Sequence, residues 1–204
     1  MDNLFMIREK IRELYASHSK IFDKALQFVV AFLTFYMINS NVGFMKMAAS
    51  PLVTLALSVI CTFLPMTLTV IAASALMLAH MFSVSLSVFI VTALVFLIMY
   101  IFYFRLTPKM ALALLLTPIA FMLKIPYVIP VAYGLMSAPV SLVAISCGTI
   151  IYYIMKYVKK AAPGLDGKGG AGLLAEITAY LKQVFQNKEM WITVIAFIIC
   201  LLVV

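Results

Sequence analysis

From Asp23 to Asp166 the chain carries no other carboxylate. Proton and sodium carriers usually keep an Asp or Glu inside the bilayer, so carboxylate-driven ion coupling is excluded from the central body. Histidine is almost as scarce, with only His18 and His80. There is no His-Glu-x-x-His, no Gly-x-Ser-x-Gly and no second metal ligand near either histidine. A metal site, a nucleophile with its base, or paired carboxylates would need such groups, so the chain reads as non-enzymatic, without metal or cofactor. Cys61, Cys147 and Cys200 sit in apolar runs without C-x-x-C spacing and read as small buried hydrophobes. Charge of either sign is sparse. Charged residues make up 11% of the 204 positions and apolar residues 66%, against about 25% and about 45–50% in soluble domains. A water-soluble globular fold, a disordered chain and a disulfide scaffold are thereby excluded, and a polytopic membrane protein is left.

What is present supports that class. Lys and Arg number 15 against 7 Asp and Glu, a formal charge of +8. The basic residues mostly flank apolar runs, which is how membrane helices are oriented rather than how nucleic acid is bound. Residues 1–24 read as an amphipathic interfacial helix. Leu4, Ile7, Ile11, Leu14, His18, Ile21 and Ala25 recur at three- and four-residue steps. A transmembrane bundle is expected over 25–160. Its runs are punctuated by Asn39-Ser40-Asn41, by Ser50-Pro51 at the start of a helix, and by Leu64-Pro65 only 13 residues later. Spans are expected near 51–64, 66–82 and 84–104. The Gly-rich stretch 161–172 reads as a linker, and 173–190 as a second amphipathic helix on the cytoplasmic face. The segment 191–204 reaches only about 20 Å at 1.5 Å per residue, short of a ~30 Å hydrocarbon core. It is read as a partial span, either of a chain that continues past Val204 or of one that a partner helix completes.

The fold expected is all-α: a bundle of about six transmembrane helices, with proline-broken short helices and two interfacial helices. With the N-terminus inside and six crossings, only Lys46 and Lys124 of the basic residues fall outside. The positive-inside rule then places the N-terminus and segment 161–190 in the cytoplasm. A competing arrangement makes 50–104 and 107–158 an inverted repeat, since both open Ser-Pro or Thr-Pro, break at proline and end in a long span.

The sharpest local candidate for binding is Lys124-Ile-Pro-Tyr-Val-Ile-Pro130 with Tyr133 and Gly134. Two prolines four apart free backbone carbonyls beside a cation, and within lipid such carbonyls must find protein or water. Lys124, Pro126, Tyr127, Pro130, Tyr133 and Gly134 are therefore candidates for an anionic head group or solute. The plainer reading is an outer loop with Lys124 snorkelling and Tyr127 in the aromatic belt. His80 is a further candidate, or a residue at a helix end. Ser137, Ser141, Ala144 and Gly148 put small side chains on one helix face and permit close packing, more readily within the chain than between copies.

At Arg105–Lys109, Lys124–Pro130 and Cys147–Tyr153 the chain resembles uncharacterised multi-pass membrane proteins of Gram-positive anaerobic bacteria, over most of residues 20–204. That resemblance implies a cytoplasmic-membrane location and transfers no site residue. Subtraction then gives the leading functional reading. It is a non-enzymatic integral component of a larger membrane assembly for transport or export, with the lipid bilayer and other membrane subunits as partners and no nucleic acid. The alternatives are a self-contained small-solute transporter or channel with its site at 124–134, and a membrane enzyme acting on lipid.

Overall fold

The structure, a computed structural model, describes residues 2–136, 139–165 and 173–204. The side chains of 2–5, 7–8, 11–18, 161–165 and 173–176 lie outside that description, as do Ser137 and the linker 166–172. The described residues form helices joined by short connections, without strands. In order they are α1 (Asp2–Val42), α2 (Pro51–Phe63), α3 (Met66–Val84), α4 (Leu86–Leu106), α5 (Ala111–Met122), α6 (Val128–Leu135), α7 (Ser141–Leu165), α8 (Leu173–Phe185) and α9 (Lys188–Val203). Five segments are long and apolar enough to cross a membrane: Ser19–Val42, Met66–Val84, Leu86–Leu106, Ser141–Lys160 and Ile177–Val203. The last is interrupted at Gln186 and Asn187, between α8 and α9. At 1.5 Å per residue α2, α5 and α6 span only about 20, 18 and 12 Å.

Large apolar side chains face outward along these helices. Met47 is 81% exposed, and Leu52, Phe63 and Val203 are each close to 80%. No soluble monomer tolerates so continuous an apolar exterior, and the chain is an integral membrane protein.

The chain forms α1 as one uninterrupted helix, with no break at residue 24. No Gly or Pro occurs between Asp2 and Val42 to end it. The helix stops at Gly43, where a Cβ would lie 2.1 Å from the Asn39 carbonyl oxygen. Ser50 caps α2 by accepting from the Val53 amide, with Pro51 in the first turn. Pro65 ends α2 abruptly and strands its last carbonyls. Side chains of α1 satisfy them: the Lys24 ammonium donates to Thr62 O at 2.7 Å, and the Gln27 amide donates to Cys61 O at 2.8 Å and to Leu64 O.

These contacts fix which ends of the helices coincide. Lys24 stands level with the C-terminus of α2, while Asn41 stands level with Met122 and Lys159. Helices α1, α3, α5 and α7 run in the same sense, from the Lys24 end to the Lys159 end, and every pair among them is in contact. Helices α2, α4, α6 and α9 run back around them. The triplets α2–α4 and α5–α7 thus run in opposite senses, as an inverted repeat would. Their packing differs, however: α5 lies against α7, whereas α2 lies against α1 and not α4.

This topology distributes the basic residues differently from a six-crossing path. Six crossings allowed a single traverse between Lys124 and Lys156; the structure has two, α6 outward and α7 back. Gly134 of α6 abuts Val204 at the far end of α9, while Met122 and Lys159 both adjoin Asn41. Lys124 therefore shares an end with Lys156, Lys159 and Lys160, and Arg105 and Lys109 lie at the other. Seven helices of alternating direction lie between Lys24 and Lys160, which stand at opposite ends of the bundle. Two of them, α5 and α6, are each below the length at which hydropathy counts a crossing.

Candidate functional site

The proline-rich segment closes part of its backbone hydrogen bonding on itself. Lys124, at φ 62°, occupies the left-handed position that closes α5. Ile125 N donates to Ala120 O at 2.9 Å and Lys124 N to Phe121 O at 3.1 Å, which is a Schellman ending with lysine where glycine is usual. Pro126 follows at the second position of a turn closed by Val128 N to Ile125 O at 3.3 Å. Pro130 lies in the first turn of α6, where its missing N–H has no helical partner to lose. The prolines thus initiate elements, and the nearby carbonyls of Ala120, Phe121 and Ile125 all accept bonds. Lys124 is exposed, and the exposed Tyr127 sets its ring edge-on to Phe197 at 5.5 Å. Tyr133 and Gly134 lie further along α6, and a Cβ on Gly134 would meet Val204 at 3.2 Å. None of the described cavities is lined by these six residues.

His80 belongs to a different constellation. It is wholly buried near the C-terminus of α3. The Met45 amide donates to Nδ1 at 3.2 Å, and Nε2 lies 2.8 Å from Asn39 Oδ1. Because Nδ1 accepts, Nε2 carries the proton and donates, and the ring is the neutral tautomer. The Asn39 amide nitrogen donates in turn to Thr54 Oγ1 at 2.7 Å and to Ala48 O at 3.1 Å. The network ties α1, α2 and α3 to the 43–50 connection, and it leaves neither ring nitrogen available for chemistry.

The small-residue face packs α7 on α5. Ser141, Ala144 and Gly148 are buried, while Ser137 lies outside the described residues. A Cβ on Gly148 would sit 2.7 Å from Thr117 Cβ and 2.8 Å from Leu114 O. Leu114 O is the carbonyl whose helical partner Pro118 removes. Glycine lets the α7 backbone close over that carbonyl.

At the centre of the four like-directed helices lies a cavity of about 30 Å³, room for one water at most. Thr34 and Ser74 are the polar residues on its apolar wall. Thr34 and Ser74 spend their hydroxyls on Val30 O and Val70 O of their own helices. A larger and polar hollow opens at the Lys159 end between α7 and the α8–α9 corner. It holds about 630 Å³ and is lined by Lys156, Lys160, Lys182, Gln183, Tyr157 and Glu189 among others. The sequence offered its lysines only as topology markers, because the partners they meet come from more than twenty residues away. Among the described residues no three of His, Cys, Asp and Glu come together as metal ligands would.

No family model matches the chain, and neither a curated protein nor a solved structure gives a match.

Proposed function

We propose that the chain is a non-enzymatic integral component of a larger membrane assembly for transport or export, held in a bacterial cytoplasmic membrane. One observation carries this reading. The cavity at the centre of the bundle holds only about 30 Å³ and is walled almost wholly by apolar side chains, and the polar groups around His80 are bonded to one another. A conducting or carrying protein needs a solvated site at bilayer depth. A packed interior leaves the outer surface as the place where such a chain acts, on lipid and on neighbouring subunits. None of the described cavities is lined by residues 124–134, which weighs against a self-contained transporter with its site there.

The test is purification from native membranes in mild detergent, followed by native gel analysis and cross-linking mass spectrometry. The reading expects a complex larger than the single chain, with reproducible cross-links to membrane proteins of a transport system. A chain that purifies alone and moves solute across proteoliposomes by itself would replace it with the transporter reading.

A further inference from the structure

We propose that the hollow between α7 and the α8–α9 corner is a binding site for a phosphate-bearing anion at the membrane surface. An anionic phospholipid head group is the source that its surroundings fit. The proposal does not rest on the assembly reading above.

The lining carries three ammonium groups, Lys156, Lys160 and Lys182, and one carboxylate, Glu189. The carboxylate is already neutralised: Lys156 Nζ reaches its two oxygens at 3.0 and 3.2 Å. Lys156 also sits 5.2 Å from the centre of the Tyr153 ring, which holds it over the hollow's wall. Neither Lys160 nor Lys182 has a carboxylate partner among the described residues. Among the described residues a surplus of two positive charges therefore faces a cleft of about 630 Å³, within the ~300–1,000 Å³ typical of small-ligand sites. Gln183, Gln186 and Asn187 add amide groups to the same wall. Tyr157 is already committed, donating to Gln183 Oε1 at 2.9 Å, so the amide nitrogen of Gln183 is the end left to donate outward. Several donors around one centre suit a tetrahedral oxyanion, and lysine binds phosphate as a point charge.

The surroundings favour a lipid source. Basic pockets between transmembrane helices recognise phospholipid head groups. Tyr152, Tyr153, Tyr157, Tyr180 and Trp191 cluster around this end, the composition of a membrane–water interface. On the other side of the same corner, α4, α7 and Phe185, Met190 and Trp191 enclose a second hollow of about 310 Å³ whose wall is apolar apart from Ser146. That is a surface on which an acyl chain can lie.

Trp191 is the only tryptophan and stands at this corner, its indole N–H bonded to Phe185 O at 2.7 Å. It reports on the site directly. The full chain is reconstituted in phosphatidylcholine vesicles, and Trp191 quenching by acyl-brominated phosphatidylglycerol is compared with quenching by brominated phosphatidylcholine. One lysine near an anionic surface contributes about fivefold in affinity. The wild type is therefore expected to prefer phosphatidylglycerol roughly 30-fold, and the K160Q/K182Q variant to lose that preference. E189Q removes the competing carboxylate and is expected to raise the preference. Excess inorganic phosphate that lowers the preference identifies the phosphate group itself as the ligand, and indifference to it identifies the whole lipid. Unchanged melting temperature and elution volume show that the variants are folded. Equal quenching by the two lipids in the wild type, with no heat of binding for inorganic phosphate, overturns the proposal. So does a K160Q/K182Q variant that keeps the full preference.

Discussion

His80 and Lys160 stand at the same end of the bundle, yet the protein uses their polarity in opposite ways. His80 is wholly buried with both ring nitrogens engaged. Lys160 is exposed on an open hollow and has no carboxylate partner among the described residues. In an apolar body a polar side chain is tolerated where its bonds close within the protein or where it meets water and head groups. Polarity of the first kind goes into the fold, and polarity of the second kind remains for a ligand. The contrast predicts that substitutions at the two sites separate stability from binding.

The largest expected effect is at the closed site. His80→Ala leaves the Met45 amide and Asn39 Oδ1 without partners, at about 1–3 kcal/mol for each buried orphan. A melting temperature lowered by many degrees, followed by fluorescence size-exclusion after heating, is the expected result; an unchanged melt would mean that the network is dispensable. Gly148→Ala comes next. Its new methyl must displace Thr117 or the α5 backbone, at about 1–3 kcal/mol, and the same melt reads the loss. Lys124→Gly acts in the opposite direction. It relieves the left-handed strain that a side chain adds, and should gain about 1 kcal/mol. A loss there would show that the lysine side chain contributes more than its backbone costs. Breaking the exposed Lys156–Glu189 pair with E189Q should change stability by less than about 1 kcal/mol. The contrast with His80 fails if E189Q proves as damaging as His80→Ala.

The starts and stops of the elements were largely legible. Ser50-Pro51 opens α2 and Pro65 cuts it. Each of these signals is carried by one or two adjacent residues acting on their own backbone. The small-residue spacing also pointed to a packing face; Gly148 lies where α7 meets α5, and Ser141 and Ala144 are buried. The proline-rich candidate is less open than its spacing suggested: one proline heads a turn and the other stands in the first turn of a helix, and the carbonyls of Ile125 and Tyr127 between them accept bonds. The polar constellations left little local signal. Asn39 read as a turn former ending a span, yet its side chain joins Thr54 and His80 from two other helices.

Composition and periodicity alone determined that this chain is a helical membrane protein, because the cost of burying backbone and charge in hydrocarbon is paid residue by residue, wherever the helices lie. Which ends coincide was decided only by tertiary packing. Short helices such as α5 and α6 are below the hydropathy length of a crossing, and only their contacts with α7 and α9 give them direction. Packing likewise closed the bonds of His80 and left Lys160 and Lys182 without a carboxylate partner among the described residues, since partners distant in sequence meet only once the helices are assembled.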